Sequence, residues 1–222
     1  MLVEAPAAEL LGHHLGRPEI HHVERPERDH LRHAAQRRRR QPVAPRRQHA
    51  ADQLVGGILS AGPDRLTAAA LRGVPQVISL GALDMVNFGP PDTVPEKFRG
   101  RRFYPHNPTV TLMRTTPEEN DALGKEIAHK ASAAKGPTAV LVPRRGVSAI
   151  DREGQPFWWP EADDALFQSL RTWMSPHVEL IELDLHINDP AFAAACANKL
   201  LELMANRART EGPSAKRAGF GG

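Results

Sequence analysis

From Asp52 onward, short apolar runs recur between polar stretches with helical spacing, the pattern of alternating strands and helices. Pro75–Leu80, Thr109–Met113, Thr138–Val142 and Val178–Leu183 are rich in Val, Ile and Leu, and the spacing predicts a strand at each. Thr138–Val142 is nearly unbroken in its apolar character, which suits a strand covered on both faces. Thr116, Pro117 and Glu119 combine a capping residue, a first-position proline and a capping box, so a helix begins there. It carries Ile127 and Ala131 on one face and stops at Lys135, Gly136 and Pro137. A second helix over Glu161–Met174 places Ala162, Leu166, Leu170 and Trp173 on one stripe. Gly62–Gly73 reads as a short helix with an early Pro63 and a closing Gly73. Asn188, Asp189 and Pro190 open a last helix that runs to Asn206. Leu54–Ser60 reads as the tail of an earlier element, and Gly89–Pro95 holds too much proline to be regular.

Strands that alternate with helices predict an α/β fold: an open parallel sheet of about four strands, helices on both faces, Rossmann-like and three-layered, with right-handed crossovers. Composition then divides the chain. Residues 1–50 contain no Ser, Thr, Lys, Asn, Phe, Tyr or Trp, yet hold ten Arg and seven of the eleven His. Such a segment lacks the aromatic and β-branched residues of a core. The absent residues are largely those with A/T-rich codons, which favours a frameshifted or misassigned start over a disordered basic arm, and metal binding comes third. The predicted organisation is an atypical segment over 1–50, an α/β domain over 51–208 and a flexible tail over 209–222.

Charge follows the same division. The first 50 residues carry a net charge of +4 and the whole chain +3, so the rest is near −1. The basic character therefore does not mark the α/β part as a nucleic-acid binder. A lone Cys196 excludes an intrachain disulfide, fits a reducing compartment and reads as a small core residue. No run is long and apolar enough to span a membrane, and no secretory signal opens the chain, so the expected location is the cytoplasm. No metal-ligand spacing is present.

Polar residues gather just after each predicted strand: Asp84 and Asn87; Arg114, Thr115 and Thr116; Gly146 and Ser148; His186, Asn188 and Asp189. In a parallel sheet these segments share the carboxyl edge, where ligands of open α/β sheets bind. Free N–H groups at helix starts, the two threonine hydroxyls and the Arg114 fork all suit an anion. Each also has a structural reading: Thr116, Asn188 and Asp189 as caps, Arg114 paired with a carboxylate, Asp84 and Asn87 holding their own loop, His186 as a satisfied core histidine, His106–Pro108 as a turn. No P-loop, dinucleotide-binding glycine pattern or Gly-x-Ser-x-Gly elbow occurs. Ser148 is a conceivable nucleophile without an activator visible in the sequence.

Residues Gly73–Gly89, His106–Pro108, Thr111–Thr116, Gly146–Ser148, Gly154–Phe157 and His186–Pro190 together resemble the hallmarks of the Tm-1-like uncharacterised protein family, in family order. The resemblance implies that the chain holds the second of two α/β subdomains. It also implies that the first, described as ATP-binding, is missing or frameshifted here, so a nucleotide such as ATP belongs to the intact family member. The plant relative is a tobamovirus-resistance protein that binds viral replication proteins. Arg144 and Arg145 depart from the smaller or acidic residues of many relatives.

The leading expectation is a domain that binds a nucleotide or other anionic small molecule through Asp84, Asn87, Arg114, Thr115, Thr116, Gly146, Ser148, His186 and Asn188, with a homo-oligomer compatible with the sequence. The alternatives are an enzyme acting on a phosphorylated or carboxylated metabolite, with His186 or Asp84 as general acid or base, and a protein-interaction module using Phe157, Trp158 and Trp159.

Overall fold

Residues 50–60 and 62–210, which the computed structural model describes, carry five α-helices and six strands, with two short 3-10 helices at Pro91–Thr93 and Glu96–Phe98. The expectations for residues 1–49 and 211–222 lie outside them. The first half runs α1 (Ala50–Val55), α2 (Thr67–Arg72), β1 (Gln76–Ser79), β2 (Met85–Phe88), β3 (Phe103–Asn107) and β4 (Val110–Arg114). The second half runs α3 (Pro117–Ser132), β5 (Thr138–Pro143), α4 (Pro160–Trp173), β6 (Glu179–Leu183) and α5 (Pro190–Thr210).

The most continuously apolar strand is central, as its sequence requires. β5 is buried at every residue and pairs in parallel with β1 on one side and β6 on the other. Its alternation decides the layers. Val140 and Val142 join Leu123, Ile127, Ala128, Leu166 and Leu170 of α3 and α4. Ala139 and Leu141 point the other way, to Phe192 and Leu203 of α5, with half-buried Cys196 beside them. The result is a three-layer α/β arrangement.

The parallel sheet has three strands, not four. The run expected as its second strand, now β4, sits in a separate antiparallel sheet of order β2-β4-β3. The reason is local. Asn107 Oδ1 accepts from the Thr109 N–H at 2.9 Å and closes a tight turn between β3 and β4. So short a connection permits only antiparallel pairing, because a parallel pair needs a long crossover. Met85–Phe88, which reads as part of a loop, is instead a fully buried strand.

Sheet edges are covered in different ways. On β2, the Asn87 N–H donates to the Asp52 carboxylate at 2.5 Å and its carbonyl accepts from the Ile58 N–H at 2.8 Å. Pro105 interrupts β3, opposite Thr111.

Helix boundaries follow the sequence in part: α2 begins at Thr67, behind an uncapped left-handed Leu66, so Pro63 lies outside it, and α5 runs past Asn206 to Thr210. Thr116 and Glu119 form the expected capping box of α3. Gly73 closes α2 in the left-handed conformation, φ 64°. Gly124 lets α3 approach α4, since a Cβ there would lie 2.7 Å from the Leu166 carbonyl oxygen. Trp173 departs from the expected stripe of α4. It is 43% exposed and packs on His129 and Lys125, while Phe167 takes the buried position. No helix of the described residues is long and apolar enough to cross a membrane.

Candidate functional site

Three segments leave the parallel sheet at its carboxyl edge: 80–84 after β1, 144–151 after β5, and 184–189 after β6. The middle one ties the others together. Ala82 donates its N–H to the Val147 carbonyl at 2.8 Å, and Ile187 donates to the Gly146 carbonyl at 3.1 Å. A left-handed Gly146, φ 123°, makes this path possible.

Beneath the loop lies a buried polar cluster. Asp84 accepts a hydrogen bond from the Ser148 hydroxyl at 2.6 Å, and its second oxygen is buried without a partner. Asp151 accepts from the Val147 N–H at 2.8 Å. Arg114 is wholly buried at the end of β4. Its Nε donates to the Phe157 carbonyl at 2.8 Å, Nη1 to Thr115 Oγ1 at 2.9 Å, and Nη2 to Asp163 Oδ1 at 2.6 Å, with Asp151 Oδ1 at 3.5 Å. One guanidinium thus faces three buried carboxylates, of Asp84, Asp151 and Asp163. Full ionisation would leave a net negative charge out of water, which burial opposes by raising carboxyl pKa values. Burial, reinforced by the Asp151 carboxylate, pushes Asp84 up from 3.8 to about 7, against the pull of Ser148 and Arg114. Burial raises Asp163 as well, with Arg114 opposing and Asp151 adding to the rise. Among the described residues, no group of His, Cys, Asp or Glu could hold a metal ion.

A pH dependence follows. Asp84 ionises near 3.8 when unfolded and near 7 when folded. Between those values the folded state holds the extra proton, so its contribution to stability falls as pH rises, and the slope vanishes above the upper value. Asp84→Asn is therefore expected to make the decline between pH 3.8 and about 7 shallower, measured by urea unfolding at several pH values. An unchanged slope would assign the proton elsewhere.

Above the cluster a cavity of about 630 Å³ opens at the carboxyl edge. Its wall includes Arg144, Arg145, Arg152, Trp158, Asp163 and His186. Arg144 donates to Glu182 at 2.7 Å and lies over the Phe167 ring. Arg145 pairs with Asp184 at 3.1 Å in solvent. Arg152 is exposed and has no ion-pair partner among the described residues. Glu153, Asp164 and Asp189 also border the space, so it is mixed in charge.

The residues singled out from the sequence separate into three groups. Gly146 and His186 line the cavity. Asp84, Arg114, Thr115 and Ser148 are brought together beneath it, and Thr115 donates to the Leu83 carbonyl at 3.1 Å. Thr116 caps α3, Asn87 is held by Asp52 through two hydrogen bonds, and Asn188 is exposed. His186 is engaged at both ring nitrogens. Nε2–H donates to the Ser148 carbonyl at 2.9 Å, which leaves Nδ1 to accept from the Asn188 N–H at 3.2 Å. Of the aromatic trio, Phe157 is core, Trp159 lies under Arg102 and Trp158 is 45% exposed at the cavity.

Sequence reasoning missed Asp151, Asp163 and Arg152. Asp163 carried a usable signal, because it falls on the same stripe of α4 as Leu166, Phe167 and Leu170, where a carboxylate is out of place unless partnered. The other two sit in a loop with no periodicity to read.

The model of the C-terminal domain of the uncharacterised protein family UPF0261 matches residues 47–204. A UPF0261 protein of Clostridium tetani is 54% identical over 154 residues, covering 69% of this chain and 38% of that protein. One from Rhizobium meliloti is 53% identical over 146 residues, 65% of this chain and 37% of that protein. The ToMV resistance protein Tm-1 of Solanum lycopersicum is 40% identical over 155 residues, 69% of this chain and 21% of its own length. The chain thus spans 38% or less of the length of these relatives.

Proposed function

Because this chain belongs to the uncharacterised protein family UPF0261, whose C-terminal domain it carries, and its sheet edge opens into a cavity rich in arginine, we propose that it binds a small anionic molecule there. The ligand class is a phosphorylated or carboxylated metabolite, a nucleotide among them. The observation that carries this reading is the Arg152 guanidinium, exposed at the cavity wall and without an ion-pair partner among the described residues. Arg144 and Arg145 add two further guanidinium groups, each already balanced by a carboxylate.

The cavity's volume falls within the usual range for small-molecule sites. Its acidic members favour a ligand that pairs the anionic group with hydroxyl or amine donors. Trp158 supplies an apolar wall on which a ring or carbon skeleton can lie.

Arg152→Ala is expected to weaken binding of the best ligand by about tenfold, the loss of one charge-assisted contact moderated by solvent. Thermal shift against nucleotides, sugar phosphates and hydroxy acids identifies the ligand, and calorimetry on wild type and variant measures the loss. Equal affinity in the two proteins would remove Arg152 from the site. No stabilisation by any of these compounds would sink the proposal.

A further inference from the structure

Asp163 belongs to both the buried cluster and the cavity. Its side chain is 10% exposed, whereas those of Arg114 and Asp151 are fully buried. From β4, Arg114 Nη2 meets Asp163 Oδ1 at 2.6 Å. Asp151 reaches the same guanidinium from the loop after β5. On the open side stand Arg144, Arg145, Arg152, Glu153 and Asp164, with His186 and Asp189 from beyond β6. An ionised Asp163 would place negative charge in the wall against which an anion must sit. The cluster behind it already holds two other carboxylates for one guanidinium, so a proton on Asp163 relieves both conflicts at once.

The geometry points to Asp163 as a proton-carrying binding residue: an anionic group enters the cavity together with a proton held on the Asp163 carboxyl, and meets a neutral carboxyl in place of a carboxylate. This rests on the reading of the cavity as an anion site and makes the affinity of that site depend on a proton. Burial favours the same protonated state. Arg114 holds Asp163 Oδ1 at 2.6 Å, and the carboxyls of Asp163 and Asp151 share a hydrogen bond, so the proton is held at this pair beside the cavity.

Sulfate is the suitable probe, because its charge is constant from about pH 6 to about pH 9, where a raised carboxyl titrates. Calorimetry of the full chain with sulfate across that range is expected to show affinity falling towards tenfold per pH unit on the alkaline side, with uptake of one proton. Asp163→Asn is isosteric with the protonated acid and keeps an acceptor for Arg114. It is expected to bind sulfate as wild type does at low pH and to stay flat to the alkaline end.

Wild-type binding that is independent of pH, with no proton taken up, overturns the inference while leaving the cavity an anion site. That result stands even if the variant fails to fold. A slope that persists unchanged in Asp163→Asn overturns it too, and assigns the proton to another group. Absence of sulfate binding in both proteins at every pH overturns this inference, while the thermal-shift screen of metabolites decides the anion site itself.

Discussion

Gly146→Ala is expected to cost about 3 kcal/mol or more of stability, enough to depopulate the folded state of a marginal domain. The backbone at Gly146 has φ 123°, a conformation that L side chains rarely adopt. A Cβ there would lie 1.8 Å from the Asp151 carbonyl oxygen and 3.0 Å from His186 Cδ2. The first of these is backbone and has no rotamer to change. Relieving it means moving Asp151, whose carboxylate holds the Val147 N–H, and with it the loop that joins the segments after β1 and β6. Gly154→Ala is the matching control. Gly154 has φ 78°, and a Cβ there would meet nothing within 4 Å, so only local strain of about 1 kcal/mol is expected. Urea midpoints of the two variants decide the matter. Equal losses would mean that the loop yields easily and does not lock the edge.

Arg114→Ala is expected to lose about 3–5 kcal/mol, because removing one partner of a buried ionic group strands the other. Here it strands more than one. Asp163 and Asp151 lose their shared counter-charge, and the Phe157 carbonyl and Thr115 hydroxyl lose a donor each. The deficit should shrink as pH falls and the stranded carboxyls protonate. Arg114→Lys should rescue little, since one ammonium cannot span the three directions that Nε, Nη1 and Nη2 serve. Denaturant unfolding at neutral and acidic pH measures both effects. A deficit that stays constant with pH would show that Arg114 acts through packing rather than charge.

These two residues illustrate what was legible beforehand. Gly146 and Arg114 both stood out in the sequence, since both lie just beyond a predicted strand. Location was readable because strand ends are readable. Role was not, because it depends on contacts between residues far apart in the chain. Arg114 reads equally well as an anion fork or as half of an ion pair, and only the arrival of Asp163 from α4 decides for the pair. His186 likewise reads as acid, base or core residue until both of its ring nitrogens are seen to meet backbone groups. The three strands of the parallel sheet were legible from their apolar runs, and the capping box of α3 from three consecutive signals. The antiparallel sheet was hidden because Met85–Phe88 is short and has Asn87 at its centre, a polar residue whose partner, Asp52, is distant in sequence. Arg152, on which the binding proposal turns, sits in a loop, where sequence pattern carries least information.

The covered margins of the antiparallel sheet have a consequence beyond the fold. A free strand margin is a template on which another chain can add itself, the first step of ordered aggregation. On β2 the middle residue's N–H and C=O are already taken by Asp52 and Ile58. On β3 a proline supplies no donor at its centre, and the pairing register shifts just beyond it. A three-stranded sheet this small would otherwise be open to growth from either side. These two devices leave it finite, so exposed apolar side chains on the helices can be tolerated without recruiting the sheet into fibre-like assembly.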